Sequence, residues 1–103
     1  MVVRISKGRF DPARAAEVRA GLDESRRSLE PAIMRLRGLV AYHVGIDVET
    51  STMTNTSVWR TREDAMQMRE LPEMLALRGT FEALGVEFDP ITNHEVLWSI
   101  PGD

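Results

Sequence analysis

The stretch Leu39–Thr61, LVAYHVGIDVETSTMTNTSVWRT, constrains the fold of this chain more than any other. It is rich in β-branched and aromatic residues and is broken only by the polar run Glu49-Thr50-Ser51-Thr52, so it reads as two strands folded back on each other. In the first strand Val40, Tyr42, Val44, Ile46 and Val48 share one face, and Leu39, Ala41, His43, Gly45 and Asp47 share the other. In the second, over Met53 to Arg60, Met53, Asn55, Ser57 and Trp59 fall together. The turn decides how the two strands face each other. A three-residue loop at Thr50–Thr52 sets His43 opposite Trp59 and on its face, and this register is the expected one; a two-residue loop sets it opposite Val58 and turned away.

The flanking segments supply helices and two more strands. Val2–Ser6 is a short β-branched run. Asp11-Pro12 opens a helix, with Asp11 placed to cap free N–H groups and Pro12 at the first position, where its missing N–H costs nothing. Ala15, Val18, Leu22, Leu29, Ile33 and Leu36 recur at helical steps. Pro31 predicts a break or kink, followed by a short second piece to about Arg37 that stops at Gly38. Thr61-Arg62-Glu63-Asp64 has the form of a capping box. The helix it starts pauses at Leu71-Pro72, resumes with the stripe Met74, Leu77, Phe81 and Leu84, and ends at Gly85. After a loop over Val86–Thr92, the run His94–Ile100 predicts a fourth strand.

The order is βαββαβ, so the fold class is α+β: a ferredoxin-like four-stranded antiparallel sheet with helices on one face. The length of 103 residues matches one domain, 1–103, since domains commonly run to about 100–150 residues. The other sheet face is then bare and calls for a partner.

Bulk properties exclude several functions. With net charge −3 and a pI near 5.4, the chain lacks the basic stripe of a nucleic-acid binder. Arg26, Arg27, Arg35 and Arg37 are interleaved with Asp23, Glu24 and Glu30, as on a solvated helix face. There is no cysteine, hence no thiolate nucleophile, thiolate metal site or disulfide, which fits a cytoplasmic protein. No apolar run is long enough for a membrane span or a signal peptide.

Chemistry-bearing candidates are few. His43 titrates near neutral pH and could take a proton from a phenol or enol; its plain alternative is a hydrogen-bonded strand histidine. Asn55 is unusual in mid-strand, and Trp59 could pack in the core or against a ligand. Gly79, within the helical stripe, could open room for a ligand or let the helix approach the sheet. His43 and His94, with Asp47 or Glu95, invite a metal reading, but this fold sets their strands at opposite edges, which speaks against a site within one protomer and leaves only one across a dimer.

The segment Gly38-Leu39 … Asn55-Thr56-Ser57-Val58-Trp59-Arg60-Thr61-Arg62-Glu63-Asp64-Ala65 resembles the antibiotic biosynthesis monooxygenase family of dimeric α+β barrels. The resemblance implies a homodimer packed through the bare sheet faces and a small-molecule pocket between helices and sheet. It implies a monooxygenase acting without metal, flavin or haem on a small aromatic or quinol-like compound. In that scheme His43 or water deprotonates the substrate, Asn55 hydrogen-bonds the oxyanion and Trp59 packs against the ring, while Met66, Leu77, Arg78 and Phe81 bind substrate. The tyrosine that such enzymes carry on the next helix has no counterpart at Ala65 or Met66, and Gly79 stands near where they carry an arginine. The haem-degrading branch requires an asparagine on the first strand and a histidine on the helix after the Trp, and both are missing. Rival functions on the same fold are a non-catalytic ligand-binding or interaction domain, and an isomerase or lyase using the pocket histidine.

Overall fold

The structure is a computed structural model that describes residues 1–102. Strand β1 (Val2–Arg9) lies in the middle of an antiparallel sheet. On one side it pairs with β3 (Thr52–Trp59), from Val2↔Trp59 to Arg9↔Thr52. β3 in turn pairs with the edge strand β2 (Leu39–Asp47). The other side of β1 carries two short strands, β4 (Glu87–Phe88) and β5 (Thr92–Glu95).

The single expected strand over His94–Ile100 is therefore replaced by these two pieces on one edge. Pro90 lies between them and has no N–H to give to the ladder. Asp89 N–H still donates to Lys7 C=O at 2.9 Å, and Val96 N–H to Met1 C=O at 3.0 Å, where the ladder of β1 ends. Beyond it Leu97, Trp98 and Ile100 stand 85%, 76% and 86% exposed.

The helices form where capping and periodicity place them. Asp11 accepts from Ala13 N–H at 2.9 Å over a 3₁₀ turn, Pro12–Arg14, which leads into α1 (Ala15–Met34). Thr61 Oγ1 accepts from Asp64 N–H at 3.0 Å and opens α2 (Arg62–Met66). A 3₁₀ turn over Gln67–Glu70 follows, and α3 (Pro72–Ala83) restarts with proline at its first position. Pro31 does not break α1, contrary to the sequence expectation. It sits in the last turn, where its missing N–H removes one bond, while Leu29, Ala32 and Ile33 around it are buried in the core. The helix stops at Met34 rather than Arg37, and Gly38 (φ +75°) turns the chain into β2.

The helices cover one sheet face in two clusters. Val2 and Trp59 meet Leu29, Ala32, Ile33, Ala65, Met68 and Leu71 in the first. Phe10 and Met53 meet Val18, Phe81 and Val86 in the second, and Leu77 packs against both. This is a ferredoxin-like α+β fold.

The β2–β3 hairpin has a register that neither loop considered from the sequence produces. The turn takes the four residues Val48–Ser51, with Ser51 at φ 55°, and pairs Asp47 with Thr52 and His43 with Thr56. Asp47 stabilises it by accepting from Glu49 N–H (3.0 Å) and Thr50 Oγ1 (2.8 Å). The pairing shifts by one residue between Leu39 and Ala41. Tyr42, Val44 and Ile46 thus share the helix-covered face with Ser57, Asn55 and Met53, their ladder partners. His43 belongs to the opposite face with Thr56, Ile5 and Val3.

Two glycines of contrasting role test this packing. A Cβ on Gly38 would lie 2.0 Å from Asp64 Oδ2 in a left-handed backbone, so Gly38→Ala should lower stability by more than ~1 kcal/mol. Gly79 has nothing within 4 Å of a Cβ, so it neither opens a pocket nor admits the sheet. Gly79→Ala should raise stability by about 0.5–1 kcal/mol, and paired urea melts of the two variants check both signs.

Candidate functional site

Between the two clusters the helices do not fill the space over the sheet. A cavity of about 220 Å³ remains, floored by Arg4 and Ser6 of β1 and by Met53 and Asn55 of β3. α1 contributes Leu22, Ser25 and Leu29, α3 contributes Met74, Leu77, Arg78 and Phe81, and Met68 and Arg69 come from the turn between α2 and α3. A wider cleft of about 630 Å³ between α1 and the edge strand β2 shares Leu22, Ser25, Leu29 and Val44 with it and is lined by Tyr42. The lining is mostly apolar with a few convergent polar groups, the usual make-up of a small-molecule site.

Asn55 and Tyr42 form the neutral polar pair. Asn55 Nδ2–H donates to the Tyr42 hydroxyl oxygen, and the same nitrogen lies 4.0 Å from Met74 Sδ. Burial pushes the Tyr42 hydroxyl up to about 12 from its ordinary 10.0, against the smaller pull of Asn55 and the Arg4 charge. The phenol is therefore protonated at neutral pH. Its oxygen is occupied by Asn55, and its hydrogen has no acceptor among the described residues, so it is free to donate to a ligand.

Arg4 is the charged counterpart. It is only 7% exposed, and its guanidinium is held below its usual range, first by burial and then by the nearby Arg69 charge, with Tyr42 acting the other way. Among the described residues no Asp or Glu lines the cavity. Arg78 is more nearly satisfied, lying 5.0 Å from the Phe88 ring centroid and 3.7 Å from a Glu82 carboxylate oxygen.

The residues singled out from the sequence separate in space. Asn55, Leu77, Arg78 and Phe81 line the cavity together. His43 does not: it is exposed on the opposite sheet face, because the four-residue turn sets it against Thr56. Trp59 is fully buried and donates from Nε1–H to Ser57 Oγ at 2.8 Å, which makes it core rather than cavity wall. Met66 packs against the first cluster and is not in the lining. His94 is exposed on β5, with Nε2 2.9 Å from Thr92 Oγ1. Among the described residues no three His, Asp or Glu converge as a metal-binding group, and no helix is long and apolar enough to cross a membrane.

Sequence reasoning missed Arg4, Tyr42, Arg69 and Ser25. Arg4 left a readable signal: strand alternation in Val2-Val3-Arg4 puts it on the same face as Val2. Tyr42 could be found only with the hairpin register in hand.

Comparison with solved structures defines the class of fold. The chain has the fold of the antibiotic biosynthesis monooxygenases. A candidate antibiotic biosynthesis monooxygenase from Deinococcus radiodurans superposes with a TM-score of 0.75 at 19% identity, over 96% of this chain and 95% of that one. SnoaB, a cofactor-independent oxygenase from Streptomyces nogalater, gives 0.69 at 14% identity over 97% and 96%. A further candidate monooxygenase, from Nitrosomonas europaea, gives 0.70 at 15% over 95% and 100%. No protein-family model and no curated protein matches the sequence.

Tyr42 is the only tyrosine of the chain, so its ionisation can be followed directly by phenolate absorbance. The titration should centre near pH 12 in the folded protein and near 10 after unfolding. Because the unfolded form releases this proton first, the contribution of Tyr42 to stability should be intact below pH 10 and fall as pH rises from 10 towards 12. A folded-state midpoint at 10 would contradict the burial described here.

Proposed function

We propose that this protein is a cofactor-independent monooxygenase that oxidises a small aromatic or quinol-like compound in the cavity between helices and sheet. The observation that carries this reading is the Asn55–Tyr42 pair: Asn55 lines a mostly apolar cavity, and Tyr42, to whose hydroxyl it donates, lines the adjoining cleft. The shared fold with SnoaB supports it.

In this mechanism a hydroxylated aromatic ring lies among Met53, Met68, Leu77 and Phe81. Its oxygen receives the Tyr42 O–H and an Asn55 N–H. These donors stabilise the oxyanion that forms when water takes the proton, as preorganised dipoles do for developing charge. The electron-rich anion reacts with dioxygen at ring carbon, and loss of water from the resulting hydroperoxide leaves a carbonyl. One oxygen atom ends in the product and the other in water. All four electrons come from the substrate, so no external reductant enters.

His43 has no part in this scheme, and the isomerase or lyase reading loses its base with it. The remaining rival is a domain that binds such compounds without turnover. Oxygen uptake with hydroxylated naphthalenes and anthrones separates the two. Uptake should survive chelation, fall by ~10²-fold in Asn55→Ala, and be unchanged in His43→Ala. Binding with no uptake across the panel would favour the rival.

We further propose a homodimer through the sheet face that the helices leave open, where Val3, Ile5, Val58 and Ala41 lie only partly covered. Sedimentation at micromolar concentration should give twice the chain mass, and Ile5→Lys should shift it towards the monomer. A wild-type monomer would overturn the assembly.

A further inference from the structure

Arg4 has a charge without a carboxylate partner among the described residues. Buried charges in proteins are ordinarily paired, because removal from water costs several kcal/mol that only a counter-charge or full hydrogen bonding offsets. This chain pairs its exposed arginines readily: Arg14 with Glu17 at 3.0 Å, Arg26 with Glu30 at 2.6 Å, Arg27 with Glu24 at 3.2 Å. Arg4, more than nine-tenths buried, has no carboxylate partner among the described residues. The Arg69 charge makes its position worse, and both residues line the cavity.

Two groups nearby could have relieved it and do not. Tyr42 could serve as an anion only if ionised, and burial keeps it protonated up to about pH 12. Asn93 stands opposite Arg4 in the β1–β5 ladder, and its buried Oδ1 has no donor among the described residues. Arg4 does not turn back to that acceptor; it contributes to the cavity wall instead.

We propose that Arg4, supported by Arg69, is the binding site for a carboxylate on the ligand, so that the substrate class is a hydroxylated aromatic acid. Its planar guanidinium can hold a carboxylate through two parallel N–H donors. The apolar wall of Met53, Met68, Leu77 and Phe81 takes the ring, and the Tyr42–Asn55 pair takes the hydroxyl. The acid group would fix the ring relative to the pair that stabilises the oxyanion. The inference rests on reading this cavity as the ligand site of the proposed oxidation.

The test is calorimetric binding without turnover, under nitrogen at pH 7, of 3-hydroxy-2-naphthoate and its uncharged amide. Wild type should prefer the acid by ~10–100-fold, the worth of hydrogen bonds to a charged group. Arg4→Met should erase that preference while still binding the amide, and Arg4→Lys should keep part of it. Arg4→Met should melt no lower than wild type, because it removes an unpaired buried charge. Should it fail to fold, the acid–amide ratio in wild type and Arg4→Lys still decides. Equal affinity of wild type for acid and amide, or an undiminished preference in folded Arg4→Met, overturns the proposal. Because no oxygen is present, failure of the oxidation reading shows separately: acid-selective binding without later oxygen uptake retires the oxidation and leaves the carboxylate site standing. Oxygen uptake by wild type together with equal affinity for acid and amide does the reverse.

Discussion

The pairing register of β2 on β3 decides which side chains of the edge strand face the helices. A strand's side chains alternate strictly, so a one-residue change of pairing would carry Tyr42 out of the interior and His43 into it. The register is held at its closed end by the Asp47 carboxylate, which gathers the Glu49 N–H and the Thr50 hydroxyl, and by Ser51 in a left-handed conformation. Phe10 N–H donates to Ser51 C=O at 3.0 Å and ties the same turn to the end of β1. Pairing Asp47 with Thr52 then leaves Tyr42 opposite Ser57 and Val44 opposite Asn55, which brings the phenol within reach of the amide.

The cavity is what remains when two separate packing centres are satisfied. One gathers around Trp59, the other around Val18 and Phe81, and Leu77 joins them. Close packing is the normal state of a protein interior, so an open space with a buried arginine on its floor that has no carboxylate partner among the described residues costs stability rather than adding to it. Natural proteins accept such costs where a ligand is bound, and stabilising the site by filling it usually impairs function. The contrast with Trp59 is instructive. Its indole is completely buried and its one donor is met by Ser57, so it has the attributes of a structural side chain and nothing left to offer a ligand.

Much of the architecture was legible from residue type and spacing. Asp11 before Pro12, Thr61 three residues before Asp64, and the stripe from Met74 to Leu84 each announce a local structure whose forces act within a few residues. Local rules failed where distant packing overrode them. Pro31 weakens one turn of α1, but burial of Leu29, Ala32 and Ile33 carries the helix through it. Asn55, chosen because asparagine is uncommon in a strand, does line the cavity. His43 and Trp59, chosen for their chemistry, do not, since chemistry carries no information about which way a side chain points.

By itself the sequence determined the first three strands, the sites where the helices start, their order, and hence the ferredoxin-like layering, because hydrophobic periodicity and end-capping are written in neighbouring residues. Tertiary structure alone decided the register of the hairpin, the division of the last strand around Pro90, and the meeting of Arg4, Asn55 and Arg69 around one space with Tyr42 in the cleft beside it. These residues come from separate elements, and only the packing of helices on one sheet face brings their charges and hydrogen bonds into range of each other.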